Sequence, residues 1–176
     1  MYKRQLAERY PSAAITTVDA SREMIEVALH RLREQLPGGE GRVRFIESRF
    51  EELAFSAGSF DCVTSCISLH HVHDKADLYR KVRLWLAPGG TLRFADQIRG
   101  SKLMDHDLNW RRWLEFSRLP GNCTEAELAG LIDHAAAHDF YVPLPEHFRM
   151  LAEAGFDPLT LDCVWRNWMW GIVTAG

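Results

Sequence analysis

Asp19 closes the run Ala14-Ile15-Thr16-Thr17-Val18, and Ser21 follows at once. The run is β-branched and short, so it predicts a strand. Ser21 is a natural N-cap for the helix pattern after it, Met24, Ile25, Ala28, Leu29 and Leu32. A carboxylate at the C-terminal tip of a strand, just before a helix, can accept hydrogen bonds from the two vicinal hydroxyls of a ribose. The same residue could serve only as a cap. Further along, Ser68-Leu69-His70-His71-Val72-His73-Asp74 gathers three imidazoles. Such a run invites a metal, but no Cys or Glu stands at a matching short spacing, and a metal needs converging ligands. The sequence therefore assigns no metal. Cys62 and Cys66 share a face of a strand-like run about 13 Å apart, too far to chelate one ion.

The elements that must position these residues alternate. Strands are predicted at 14–18, 42–46, 60–67 and 91–95, with helices from about 21 to 36 and 77 to 86 between them. Alternation of this kind implies βαβ units and a parallel sheet. Pro88-Gly89-Gly90 predicts a tight turn into the strand at 91–95. Beyond Asp96 the pattern turns helical: 103–118, then 125–138 behind the capping-box sequence Thr124-Glu125-Ala126-Glu127, then 146–154. Two strands close the chain with no helix between them, so that pair should be antiparallel at one edge of the sheet.

The order and spacing of four segments resemble the class I, Rossmann-like S-adenosylmethionine-dependent methyltransferases, above all their broad small-molecule group. The segments are Val18-Asp19-Ala20-Ser21 with Met24, Phe60-Asp61-Cys62-Val63, Leu69-His70-His71-Val72, and Leu86-Ala87-Pro88-Gly89-Gly90-Thr91-Leu92; Ala154-Gly155-Phe156 adds a fifth. The resemblance implies a doubly wound, mostly parallel α/β sheet with an antiparallel C-terminal edge strand and a helical cap. It divides the chain into a cofactor-binding core at 1–99, a helical cap at 100–145, and a final helix with two strands at 146–176.

By that resemblance Asp19 binds the ribose hydroxyls of S-adenosylmethionine, Ala20 and Met24 line the adenine, and Phe50 offers its backbone to the adenine edge beside Arg49. Cys66 and Ser68 face the sulfur region. The family often carries an acidic residue where Arg49 stands; a guanidinium cannot accept a hydrogen bond, so Arg49 must contact something else. His71 or His138 would take a proton from an acceptor hydroxyl. Trp110, Arg111, Tyr141 and Trp165 would line the acceptor pocket, an aromatic set with one Arg that suits a planar or carboxylated small molecule.

One departure concerns the glycine-rich loop that this family places after its first strand. A strand, loop and helix need roughly 30 residues, yet only 18 residues precede Asp19 and none is glycine. The expectation is an N-terminally truncated core lacking the first strand, in which an open strand edge could support a homodimer.

Composition bounds the alternatives. The 176 residues carry a formal net charge of -3, so no basic field is offered to a nucleic acid backbone. No apolar run reaches membrane-spanning length, and the polar start is unlike a signal core, which reads as a cytoplasmic protein. A dinucleotide-dependent oxidoreductase on a similar sheet would need G-x-G-x-x-G, which is absent. An inactive methyltransferase-like fragment acting through self-association remains the other reading.

Overall fold

The structure is a computed structural model and describes residues 2–36, 38 and 40–176; side chains are described outside 2–4 and 40. Pro37 and Gly39, part of the predicted helix stop, lie outside the described residues. The chain divides after Ala54 into two compact units.

The first unit holds α1 (Tyr2–Arg9), β1 (Ile15–Asp19), α2 (Arg22–Gln35) and β2 (Val43–Glu47). β1 and β2 pair in parallel from Ile15↔Val43 to Asp19↔Glu47, so the two strand tips end level. Ser21 caps α2 as its sequence predicts, the hydroxyl accepting from the Met24 amide at 3.2 Å. Arg42 draws together the chain around the end of α1: its guanidinium donates to the carbonyls of Ala7, Tyr10 and Ala13 at 3.2–3.3 Å. The Ala7 carbonyl belongs to the last turn of α1, whose carbonyls a helix terminus cannot satisfy by itself.

The second unit is built on a four-stranded sheet in the order β3-β4-β6-β5: β3 (Phe60–Cys66), β4 (Leu86–Gln97), β5 (Asp162–Asn167) and β6 (Trp170–Ala175). β3 runs parallel to β4, and β6 is antiparallel to both β4 and β5. The C-terminal hairpin thus forms as its missing helix implies, with β6 inside the sheet and β5 on the edge. β4 starts earlier than the sequence predicts, directly after α3 (Lys75–Trp85). Pro88-Gly89-Gly90 forms an irregularity within the strand, where the register with β3 shifts between Phe60 and Cys62. Gly89 takes φ +77°, and a Cβ on Gly90 would stand 2.9 Å from the Ala87 carbonyl oxygen. Glycine is required at both for these separate reasons.

Three helices follow β4: α4 (Leu103–Ser117), α5 (Glu125–His138) and α6 (Leu144–Glu153). The Thr124–Glu127 capping box is formed at the start of α5. α3 begins at Lys75 because Asp74 caps it, accepting from the Asp77 amide at 2.8 Å. α6 begins at Leu144, two residues before the predicted start. Pro145 falls in its first turn, where a missing N–H costs nothing. The core of this unit is apolar, with Tyr79, Phe94, Ile98, Leu128, Leu151, Phe156, Met169 and Val173 fully buried.

Candidate functional site

In the first unit, Asp19 sits at the tip of β1. Its Oδ1 accepts from the Ser21 amide at 3.1 Å, which holds the carboxylate at the strand end and leaves its other oxygen for an incoming donor. Ala20 is exposed beside it, and Met24 is 55% exposed one turn into α2. Phe50 opens a short 3₁₀ turn, Phe50–Glu52, with Arg49 at its N-cap in extended backbone. Arg49 finds the carboxylate that its donor-only chemistry demands, with Nε 3.8 Å from Glu51 Oε2. These residues fit the nucleoside end of S-adenosylmethionine: an accepting carboxylate, a small neighbour and an exposed thioether.

In the second unit the site is built around the chain leaving β3. Ile67 takes φ +55°, a costly conformation for a β-branched residue. It follows Cys66 at the strand tip and turns the next three amides inward. Ser68, Leu69 and His70 all donate to Asp96 Oδ2, at 3.3, 2.6 and 3.1 Å. Asp96 Oδ1 meets His70 Nδ1 at 2.5 Å and the Gln97 amide at 2.7 Å. Burial alone would raise the Asp96 pKa, but the hydrogen bond and charge of His70, with the Gln97 and Leu69 amides, hold it below the usual carboxylate range.

The loop after α5 brings Asp139 to the histidines. Its Oδ1 lies 3.0 Å from His71 Nδ1, 3.9 Å from His70 Nε2 and 4.0 Å from His134 Nε2. The Tyr141 hydroxyl donates to its Oδ2. Burial, then that hydrogen bond and the Asp139 charge, push the Tyr141 pKa upward. Lys75 fixes the same loop: its buried ammonium donates to the carbonyls of Val72 at 2.7 Å and Phe140 at 2.6 Å, and burial lowers its pKa to about 8. The Phe140 amide in turn donates to the His70 carbonyl at 2.7 Å.

A ring cluster adjoins this network. Tyr141 stands 6.1 Å from the His70 ring, 6.5 Å from His106 and 6.3 Å from Trp110, and Trp110 lies 5.0 Å from Trp113. His71, Trp110 and Tyr141 therefore belong to one neighbourhood. His138 ends α5 with its ring 5.0 Å from His134. Ser68 Oγ shares a hydrogen bond with Ser65 Oγ at 3.0 Å, and Cys66 is exposed with its thiol pKa raised by burial and by Asp96. Arg111 instead lies exposed on α4 with Nε toward the Asp107 carbonyl, and Trp165 stands half-exposed on β5.

The sequence alone assigned no site role to Asp96, Lys75 or Asp139. Asp96 did carry a signal: a lone acid at the end of a strand otherwise apolar on one face. Nothing local marks Lys75, whose role depends on a loop far along the chain. Among the described residues no helix is long and apolar enough to cross a membrane.

A methyltransferase-domain family model matches residues 2–90. The ubiquinone/menaquinone biosynthesis C-methyltransferase UbiE of Pseudomonas putida (strain GB-1) is 30% identical over 177 residues, covering 94% of this chain and 62% of that protein. The same-named protein of Pseudomonas fluorescens (strain Pf0-1) is 34% identical over 82 residues, covering 47% of this chain and 31% of its own. The chain thus spans less than two thirds of the length of these relatives. Among solved structures, the YcgJ protein of Bacillus subtilis superposes with TM-score 0.65 at 22% identity, covering 92% of this chain and 59% of that one. Phosphoethanolamine N-methyltransferase 2 of Haemonchus contortus, in complex with S-adenosyl-L-methionine, gives 0.64 at 20% identity over 92% of this chain and 32% of its own. Those two likenesses speak to the fold, and the match over residues 2–90 to the family: the chain belongs to the class I, Rossmann-like S-adenosylmethionine-dependent methyltransferases.

Proposed function

We propose that this chain takes part in S-adenosylmethionine-dependent methyl transfer to a small, flat acceptor at O, N or C. The observation that carries the reading is Asp19, held at a strand tip by the Ser21 amide with carboxylate capacity to spare. When bound, the cofactor supplies a methyl group on a positively charged sulfur. Asp19 accepts from its ribose hydroxyls, each charge-assisted bond contributing about 1.5–3 kcal/mol. Met24 covers the adenine face. Tyr141 and Trp110 present rings that would hold a flat acceptor, and positioning of this kind supplies much of the acceleration in a direct displacement. The C-methyltransferase and N-methyltransferase names among the similar proteins support a methyl acceptor without choosing its atom.

Titrating the purified chain with S-adenosylhomocysteine in a calorimeter tests this. We expect saturable binding that Asp19→Ala weakens by about tenfold or more. No heat and no shift in melting temperature for the wild-type chain would remove the proposal.

A second reading, self-association of a methyltransferase-like chain, is favoured by one observation. Among the described residues β1 pairs only with β2, and β3 only with β4, so each presents one open side to a further strand. Light scattering across a wide concentration range tests it, and a constant monomer mass would exclude it.

A further inference from the structure

The histidine–aspartate cluster lies wholly within the second unit, and its geometry is that of a ligand set. His70 Nε2, His71 Nδ1 and one oxygen of Asp139 all lie within 4.8 Å of one another. A zinc ion held at about 2.0–2.1 Å by tetrahedral ligands separates them by about 3.4 Å. The distances of 3.0 and 3.9 Å from Asp139 Oδ1 to the two imidazole nitrogens bracket that value.

The polar atoms also lack what such a geometry should contain. The Asp139 side chain is 5% exposed, yet its Oδ1 has no hydrogen-bond partner. Three imidazole nitrogens surround that oxygen, and none donates to it in hydrogen-bonding geometry. His70 shows why. In the tautomer whose Nδ1–H donates to the buried Asp96 carboxylate, the lone pair of Nε2 faces Asp139. A cation between them would satisfy both the lone pair and the buried anion. Asp96–His70 also has the form of the carboxylate–histidine pair that orients metal-bound imidazoles.

We infer that His70 Nε2, His71 Nδ1 and Asp139 Oδ1 bind one divalent first-row transition ion, with His134 at the rim. Two imidazoles and one carboxylate are the donor set of zinc hydrolytic centres and of non-haem iron(II) sites. His71 and His134 are 45% and 54% exposed, so the ion would face solvent on that side and keep a position open for an exogenous oxygen ligand. The neighbouring Tyr141 and Trp110 rings would flank such a ligand. With the ion in place, the His71 Nδ1 lone pair belongs to the metal and is not available as a base.

The site stands on the second unit alone, so it is tested without cofactor or acceptor. Protein stripped with a chelator and dialysed is titrated with Zn²⁺ by calorimetry, and with Co²⁺ by visible absorption. One ion per chain should bind, and Co²⁺ should give the ligand-field bands of a four- or five-coordinate centre. Asp139→Asn and His71→Ala should each weaken binding by about tenfold or more. His71 lies at the surface, so its removal leaves the core intact, and circular dichroism of both variants confirms folding. His134 and His138, one turn apart on α5, could chelate an ion by themselves. The proposed ligand set excludes His138, so His138→Ala should leave the affinity unchanged. If His138→Ala abolishes binding while His71→Ala does not, or if no ion binds at stoichiometry, the assignment is overturned.

Discussion

Asp96 and His70 share a proton-bearing contact of 2.5 Å between carboxylate and ring nitrogen, and the same carboxylate gathers three consecutive amides with its other oxygen. One side chain on β4 thereby sets both the path of the chain leaving β3 and the tautomer of its histidine. Asp96→Ala would leave these donors buried without an acceptor. Breaking one partner of such a buried, charged network costs about 3–5 kcal/mol. Urea denaturation should show a loss of that size, and a variant within about 1 kcal/mol of wild type would contradict this account.

Asp19 offers a sharper separation of binding from folding. Among the described residues its carboxylate accepts one hydrogen bond, from the Ser21 amide, at a partly exposed strand tip. Asp19→Ala should therefore lower stability by only about 0.5–2 kcal/mol while S-adenosylhomocysteine affinity falls by about tenfold or more. Parallel denaturation and calorimetry separate the two effects.

His147 predicts a pH dependence. It is buried on α6, its Nδ1 bonded to the Tyr79 hydroxyl at 2.7 Å and its Nε2 without a partner. Burial first, and then the Lys75 charge, lower its pKa from 6.5 to about 4. The folded state thus resists protonation that the unfolded state accepts. Stability from this residue is full above pH 6.5 and is lost as pH falls from 6.5 toward 4. Between pH 7 and 4.5 the loss should be about 2–3 kcal/mol. His147→Phe, which cannot titrate, should flatten the stability curve in that window by a similar amount. An unchanged slope would count against the buried neutral imidazole.

Two glycines should respond to alanine with opposite signs. A Cβ on the buried Gly100 would meet the His106 backbone nitrogen at 2.4 Å and the Asp105 carbonyl carbon at 2.8 Å. These are backbone atoms of α4, which cannot give way without moving the helix. Gly100→Ala should cost about 1–3 kcal/mol. Gly130 lies in the middle of α5 with open space where its Cβ would stand. Gly130→Ala should add about 0.8–1 kcal/mol by helix propensity. Differential scanning calorimetry of the two variants would read both shifts, about 2–4 °C for each kcal/mol at this chain length.

How much of this was legible in the sequence follows from the range of each signal. Asp19, Ser21 and the Thr124–Glu127 box act on neighbours within a turn, and those caps appeared where local chemistry put them, whereas the Asp74 cap moved the start of α3 ahead of the predicted 77. The continuation of β4 through Pro88-Gly89-Gly90 was not legible. Turn residues there are overridden by pairing with β3, a tertiary effect. The three histidines looked like ligands without a complement, because Asp139 reaches them only after three intervening helices and β4. Arg111 and Trp165 were chosen by residue type, and type does not say which way a helix or edge strand faces.

Lys75 joins the carbonyl of Val72, just beyond the histidine turn, to that of Phe140, in the connection between α5 and α6. One half of the ligand cluster is anchored to a sheet and the other rides on an interhelical loop, with a single ammonium as the clasp. A lineage could exchange that loop, and with it the acid and phenol it delivers, while leaving the histidine half untouched. New chemistry opposite a conserved imidazole pair would then require only that the replacement loop present one carbonyl to the lysine.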